Sequence, residues 1–204
     1  IGPADCHYSV LALFHVGGLM FGVLGPMVAR IPSFIDRWFS AGSYWRRVDE
    51  TKATVIDPIG TMVSALCKQP AAANDASHGV RVSLGALSQV PAEIADEFVQ
   101  RFNLKLVNAY SLSESGGVLI VYNAINSPKP KANGRPHGWC EIRIVGDNDW
   151  PLPPGKVGEI TLRPTIPFTF MLGYHNNEKR TLECLRNQWL HTGDLGTLDE
   201  DGYL

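Results

Sequence analysis

Two short segments of this chain carry side chains that could bind a small polar ligand. Ser113 and Glu114 follow the apolar run Leu104 to Val107 and place a hydroxyl beside a carboxylate, a hard oxygen ligand of the kind that Mg²⁺ prefers. Asp194 follows Thr192-Gly193, and its two carboxylate oxygens suit the two hydroxyls of a vicinal diol. A structural alternative exists for each segment: a strand that runs into a Ser/Glu helix cap, and an aspartate that caps a turn.

The longer segments around these residues, Asn108 to Ser115 and Trp189 to Gly196, resemble the nucleotide-binding motifs of the AMP-forming acyl-CoA ligases. Their order, their separation and the sequence between them fit that family, and the resemblance covers essentially the whole chain. It implies a partial amino-terminal domain of an acyl-CoA ligase fold. It also implies that Tyr110 lies against the adenine ring and that Asp194 binds both ribose hydroxyls.

The same resemblance assigns the residues after the tyrosine to the reacting end of the nucleotide. Ser113 keeps the hydroxyl of the family threonine and would donate to the α-phosphate, and Glu114 would bind Mg²⁺, so these two are the expected catalytic residues. Ser111 stands where the family has glycine, and we expect it to alter the loop or narrow the acyl pocket. That departure keeps a second interpretation open: a noncatalytic nucleotide- or acyl-binding module, or a degenerate ligase.

Further site residues follow from the resemblance in the first half of the chain. Gly85 and Ala86 match the family loop that borders the adenine, where glycine permits a close backbone approach. Leu84, Gly60 and His15 are expected to line the acyl pocket. His15 stands where amino-acid-activating relatives usually carry aspartate, so an α-amino acid is not the expected substrate. The alternative for His15 is an ordinary core histidine.

The resemblance implies a two-step reaction that uses ATP, Mg²⁺ and CoA. The carboxylate of a small organic acid attacks the α-phosphate of ATP and releases pyrophosphate, and the CoA thiol then displaces AMP. The family's phosphate loop and catalytic lysine do not occur in these 204 residues. We therefore expect a fragment that is inactive alone and whose partners are an amino-terminal subdomain and a carboxyl-terminal domain of the same polypeptide. Ala4 to Leu11 and Tyr44 to Val48 are similar to crotonobetaine/carnitine-CoA ligases in particular.

The candidate residues need a sheet to position them, and the apolar pattern predicts one. Val80 to Leu84 alternates as a strand, a helix beginning at Pro91 turns Phe98 and Phe102 inward, and Leu104 to Val107 forms the next strand. Strands joined by such crossovers run parallel and are covered by helices. The predicted fold class is therefore α/β, with a parallel sheet flanked by helices over residues 1–126.

A change of composition from residue 127 predicts the start of a second, mostly antiparallel β subdomain, residues 127–204. Ser127 to Pro136 is rich in proline, lysine and turn formers, which sustain neither helix nor central strand. Beyond it, Cys140 to Ile144 and Ile160 to Leu162 alternate between apolar and polar residues, as half-buried strands do. Asp199 to Gly202 predicts a hairpin turn whose returning strand is very short, so we expect the polypeptide to continue past Leu204.

Composition limits the partners and the setting of the protein. Lysine plus arginine (18) nearly balances aspartate plus glutamate (20), so no strong field attracts nucleic acid or an anionic membrane, and neither partner is predicted. The four cysteines form no C-x-x-C pair, which favours a reducing cytoplasm and argues against a metal other than Mg²⁺. Val10 to Val28 is apolar and long, but its Gly17-Gly18 and Gly25-Pro26 breaks favour a buried strand followed by a buried helix over a membrane span.

Overall fold

A computed structural model describes residues 1–85, 90–117, 120–129 and 131–204 of the chain. The chain divides into two compact units. The first consists of Ile1–Ala109 with Ala124–Pro130, and the second of Tyr110–Asn123 with Lys131–Leu204. The second unit thus includes Tyr110–Asn123, which lies ahead of the predicted boundary at residue 127.

Parallel strands form the framework of the first unit. They are β1 (His7–Ser9), β2 (Ser33–Ile35), β3 (Val55–Ile56), β4 (Val82–Gly85) and β5 (Leu106–Tyr110). They lie in the order β2-β1-β3-β4-β5, and each neighbouring pair runs parallel. The helices between them are a π-helical segment (Gly18–Leu24), α1 (Gly25–Ala29), α2 (Tyr44–Glu50), α3 (Gly60–Cys67) and α4 (Ala92–Arg101). Parallel neighbours need such connections because the chain must return to the same end of the sheet.

Aromatic side chains fill much of the core of the first unit. Helix α4 begins after Pro91, as predicted, and Phe98 and Phe102 are both almost completely buried. The Phe102 ring also packs 4.5 Å, centroid to centroid, from the ring of Trp45 on α2. Burying a side chain of this size stabilises a fold by about 1.5–3 kcal/mol. The apolar face, rather than intrinsic propensity, therefore holds this ten-residue helix in place.

The first strand differs from the prediction. The chain turns after residue 10, and Leu13 and Phe14 are exposed, so a buried strand in this stretch is wrong. Strand β1 lies earlier and carries two buried polar residues, His7 and Ser9. A buried hydroxyl is tolerated when it is hydrogen-bonded. Ser9 Oγ meets that condition by donating to Asp57 Oδ2 at 2.8 Å.

The predicted helix that follows is confirmed, but its predicted burial is wrong, because Met27 and Val28 are exposed. The π-helical segment Gly18–Leu24 continues directly into α1, where Pro26 occupies the first turn. Proline is tolerated at that position because the first-turn N–H groups have no intrahelical acceptor. Within the part of the chain that the structure describes, no helix is both long enough and apolar enough to cross a membrane.

The second unit is mostly antiparallel. Its strands are β6 (Val121–Tyr122), β7 (Arg135–Pro136), β8 (Cys140–Val145), β9 (Gly158–Pro164), β10 (Leu185–Arg186) and β11 (Trp189–Gly196), and its helix is α5 (Glu178–Cys184). Strands β6 and β7 form a short antiparallel pair, and the other four form a sheet in the order β10-β11-β9-β8. The predicted antiparallel pairing of β8 with β9 is confirmed from Cys140 opposite Pro164 to Val145 opposite Glu159. The predicted fold class, α/β with a smaller antiparallel sheet, is confirmed as well.

The predicted turn near the carboxyl end is also confirmed. Gly202 adopts a φ of +75°, which favours glycine, and its N–H donates to Asp199 O at 2.9 Å. The Asp199 N–H in turn donates to Tyr203 O at 3.0 Å, and the Leu204 N–H donates to Gly134 O at 2.8 Å. The last residues are thereby tied to the body of the second unit.

Candidate functional site

The turn that follows β5 is fixed by a serine that the sequence analysis did not single out. The buried Ser115 hydroxyl donates to Leu112 O at 2.8 Å and closes a short 3-10 turn, Ser113–Ser115. Gly116 then takes a φ of +71°, and a Cβ on it would come within 2.6 Å of Thr169 O. The turn therefore has little freedom, while the neighbouring Ser113 is exposed at its surface.

Tyr110 and Asp194 meet within the second unit although 84 residues separate them. The Tyr110 hydroxyl donates to Asp194 Oδ2 at 2.7 Å. Burial is the main reason that the pKa of Tyr110 is raised, and the neighbouring Asp194 carboxylate also raises it, so the phenol keeps its proton at neutral pH. The two predicted nucleotide-binding motifs thus face each other at these two side chains.

Asp194 lies in an irregular part of β11. The pairing of β11 with β9 shifts register between His191 and Leu195, and Gly193 takes a φ of +78° within that stretch. The Asp194 N–H donates to Thr192 Oγ1 at 3.1 Å. The Thr192 hydroxyl in turn donates to Ile160 O on β9 at 2.7 Å. Asp194 itself is exposed, and no hydrogen bond from the described residues reaches its Oδ1 atom.

Glu114, the predicted Mg²⁺ ligand, is held by a tyrosine. The Tyr174 hydroxyl donates to Glu114 Oε1 at 2.7 Å, and this contact is the main reason that the pKa of Tyr174 is raised to about 12. The Glu114 carbonyl also accepts the Met171 N–H at 2.8 Å. Among the described residues nothing donates to Glu114 Oε2. A partly exposed carboxylate with one oxygen free is a donor that fits a hard cation such as Mg²⁺.

A second acidic residue, Glu159 on β9, contacts the irregular part of β11 that carries Asp194. Its Oε1 atom accepts the Gly193 N–H at 3.0 Å, and its Oε2 atom lies 2.8 Å from His191 Nδ1. Together with the turn of Glu114, these residues line a cavity of about 230 Å³. No sequence motif pointed to Glu159, because its contact with Gly193 spans 34 residues and depends on the irregular pairing of β11.

Asp149, Glu159 and His191 each have a side-chain atom of a kind that can bind a metal ion, and these three atoms lie within 4.8 Å of one another. Arg186 already donates to both Asp149 oxygens at 3.1 Å and lies 3.4 Å from Glu159 Oε2. The hydrogen bonds from Arg186 are the main reason that the pKa of Asp149 is lowered. A metal ion here would have to displace the guanidinium, so we read the cluster as a structural network. His191, whose Nδ1 atom lies 2.8 Å from Glu159 Oε2, belongs to this network.

Four further predicted site residues lie in the first unit. Gly85 ends β4, and a Cβ on it would lie 2.9 Å from Pro58 O, so the backbones approach closely there. Leu84 precedes it and is partly buried, and Gly60 begins α3 with a φ of +42°. His15 is exposed, which disagrees with its alternative reading as a core histidine. Whether these residues line an acyl pocket stays a prediction.

Two predicted positions need separate mention. Ala86, the second residue of the expected adenine-bordering loop, falls outside the described residues. Ser111 lies between Tyr110 and the 3-10 turn and is partly exposed. Its substitution for the family glycine stays a prediction of altered loop or pocket shape.

Comparison with known proteins agrees with the motifs. The family model for AMP-binding enzymes matches residues 1–175. Over 201 residues the chain is 30% identical to the crotonobetaine/carnitine-CoA ligase of Escherichia coli O7:K1 (strain IAI39 / ExPEC), which covers 98% of this chain. The match covers only 38% of that relative, so the chain spans well under half the length of the curated relatives it matches.

Solved structures match the fold over the whole chain. The o-succinylbenzoate CoA synthetase of Bacillus subtilis, in complex with an acyl-adenylate intermediate, superposes with a TM-score of 0.81 at 25% identity, over 40% of its own length. A benzoate CoA ligase from Burkholderia xenovorans LB400 gives a TM-score of 0.85 at 20% identity, over 41% of its length. The second similarity is one of fold alone.

Proposed function

Because this chain belongs to the AMP-binding enzyme family, we propose that it carries the adenosine-binding part of a carboxylic acid-CoA ligase. The observation that supports the proposal most strongly is the 2.7 Å hydrogen bond from the Tyr110 hydroxyl to Asp194 Oδ2. An aromatic ring and a carboxylate held side by side offer a stacking surface for a base next to an acceptor pair for its sugar.

The roles follow the chemistry of each side chain. The Tyr110 ring stacks on adenine, and Asp194 accepts hydrogen bonds from the ribose hydroxyls. The exposed Ser113 hydroxyl would donate to the α-phosphate, and Glu114 Oε2, to which nothing donates among the described residues, would bind Mg²⁺. Mg²⁺ would neutralise phosphate charge during the attack of the acid, and the chain's own contribution is to position the nucleotide for that attack.

The complete reaction belongs to a longer protein in this proposal. ATP and a small carboxylic acid would give an acyl-adenylate and pyrophosphate, and CoA would then take the acyl group and release AMP. Crotonobetaine/carnitine-CoA ligase, the name of the relative at 30% identity, suggests a small organic acid as substrate. Gly60, Leu84 and His15 are the candidates for contact with it, and residues absent from this chain would complete catalysis.

Binding of AMP to the 204-residue chain tests the proposal. Asp194→Ala removes at least one charge-assisted hydrogen bond, which is worth about 1.5–3 kcal/mol, so calorimetry should show about a 10- to 150-fold weaker affinity. Asp147→Ala, which alters an exposed aspartate elsewhere in the same unit, is the matched control and should bind AMP normally. Equal AMP affinity of the Asp194→Ala protein and the unaltered chain would refute the assignment.

A pyrophosphate-exchange assay addresses the expected inactivity of the chain alone. We expect no exchange above background even when AMP binds, because no phosphate loop or catalytic lysine is present in the sequence. Exchange at a rate typical of intact ligases would contradict that part of the proposal. A noncatalytic binding module would also bind AMP without catalysing exchange. Adding the expected amino-terminal subdomain and carboxyl-terminal domain separates the two interpretations, because only a ligase would then gain activity.

A further inference from the structure

Glu159 contacts the segment that carries the proposed ribose ligand, although the resemblance assigns it no role. Its carboxylate is engaged at both oxygens, with the Gly193 N–H donating to Oε1 at 3.0 Å and His191 Nδ1 lying 2.8 Å from Oε2. Arg186 approaches Oε2 at 3.4 Å while it pairs with Asp149. The Glu159 side chain is therefore fixed from several directions and is about three-quarters buried.

The irregular pairing explains why this carboxylate matters. His191 pairs with Thr161, but the next paired residue on β11 is Leu195, opposite Glu159. The residues between them, which include Gly193 and Asp194, have no regular ladder partners in β9. Outside the ladder, the position of this exposed segment depends on the contacts that its own groups make, and the Gly193 N–H could otherwise bond to water. The Glu159 carboxylate supplies the acceptor that the ladder does not.

We propose that Glu159 is a positioning residue that holds the Gly193 amide and thereby aims the Asp194 carboxylate at the ribose hydroxyls. The inference rests on the proposed function, because it assumes that Asp194 binds ribose. Asp194 is the residue next to Gly193, so a change in the Gly193 peptide plane rotates the Asp194 backbone directly. A purely structural role would instead depend on the negative charge of Glu159 beside His191 and Arg186.

Two conservative variants separate these roles. Glu159→Gln keeps an oxygen acceptor at the same side-chain length but removes the charge. Glu159→Asp keeps the charge but withdraws the acceptor by one methylene group. If Glu159 positions the Gly193 amide, the glutamine variant should resemble the unaltered chain and the aspartate variant should not. If only the negative charge of Glu159 matters, the aspartate variant should instead resemble the unaltered chain and the glutamine variant should not.

The readout is the preference for AMP over 2′-deoxy-AMP, measured by calorimetry on each purified chain. The unaltered chain should prefer AMP by about tenfold, since the 2′-hydroxyl donates to a charged acceptor. Glu159→Asp and Glu159→Ala should reduce that preference by about threefold or more, mainly by weakening AMP binding. Glu159→Gln should retain most of it. Thermal unfolding of each variant identifies any that fail to fold, and the Gln–Asp comparison decides the question if the alanine variant is unstable.

Asp194→Ala distinguishes failure of this inference from failure of the proposed function. Loss of the AMP preference in Asp194→Ala together with an unchanged preference in Glu159→Asp would overturn the positioning role and leave the proposed function intact. An unchanged preference in Asp194→Ala, or no AMP binding by the unaltered chain, would overturn both. A greater loss in Glu159→Gln than in Glu159→Asp would also overturn the positioning role.

Discussion

Replacing Asp57 with asparagine should stabilise this chain more at pH 8 than at pH 4.5. Asp57 follows β3 and is only 1% exposed. Burial raises the pKa of its carboxyl to about 7, although the hydrogen bond from Ser9 acts in the opposite direction. The folded chain therefore has to bury a charge at this position in order to ionise Asp57 at alkaline pH.

The sign and size of the effect follow from proton linkage. An unfolded aspartate loses its proton near pH 3.8, whereas Asp57 in the folded chain keeps it until about pH 7. Between those values the folded state binds more protons, so the contribution of Asp57 to stability falls as pH rises and then stays constant. With these two values the loss between pH 4.5 and pH 8 is about 3 kcal/mol. An asparagine side chain at this position cannot ionise, so the substitution should recover this amount.

The neighbouring His7, whose Nε2 atom lies 3.5 Å from Asp57 Oδ2, has the opposite dependence. Burial lowers the pKa of His7 to about 4, so its contribution to stability is present above pH 6.5 and is lost as pH falls toward 4. Because burial is the cause, His7 should contribute alike to both proteins and cancel in the comparison.

Urea unfolding of the unaltered chain and the Asp57→Asn variant at pH 4.5 and pH 8 measures the difference. Asparagine can still accept the Ser9 hydroxyl, so the change removes mainly the charge. Asp49→Asn, at an exposed position on α2, is the control and should change the free energy of unfolding equally at both pH values. Parallel pH profiles of the unaltered chain and the Asp57→Asn variant would refute the reasoning.

Three further predictions concern single contacts. Tyr174→Phe removes the hydroxyl that orients Glu114, and should raise the Mg²⁺ concentration needed for half-maximal ATP binding by about tenfold in a calorimetric titration. Asn177→Ala removes the acceptor that caps α5 and should lower the free energy of unfolding in urea by about 1 kcal/mol. Gly85→Ala places a Cβ 2.9 Å from Pro58 O and should cost about 1–3 kcal/mol in the same assay. An unchanged value in any of these measurements would contradict the contact concerned.

Elements with a regular apolar period could be predicted from the sequence. The inward face of α4 and the alternation in β8 and β9 both reflect burial of one side, and both are confirmed. The first strand could not be found that way, because His7 and Ser9 are buried polar residues whose partners lie elsewhere in the chain. The apolar Leu13 and Phe14 suggested burial at a place where the chain turns outward. Apolar character alone does not establish that a residue is buried.

The residues of the candidate site also fall into those that the sequence predicted and those that only the structure identified. Tyr110, Glu114 and Asp194 came from motif resemblance, and the contact between Tyr110 and Asp194 agrees with a shared site. The sequence assigned no role to Tyr174 or Glu159, since each acts on a residue 34 or more positions away. Their roles depend on strand register and turn geometry, which arise only after the sheet has formed.

The Tyr110 contact leaves room for a ligand on Asp194. A carboxylate has about four lone-pair positions, and the Tyr110 hydroxyl uses one of those on Oδ2. Among the described residues nothing donates to Oδ1, so in the proposed function the remaining positions would accept the two ribose hydroxyls without breaking the bond to Tyr110. Nucleotide binding therefore does not have to compete with the internal contact, and the tyrosine holds the carboxylate in place before the ligand arrives. Such preorganisation lowers the conformational entropy lost on binding, because the Asp194 side chain is already ordered.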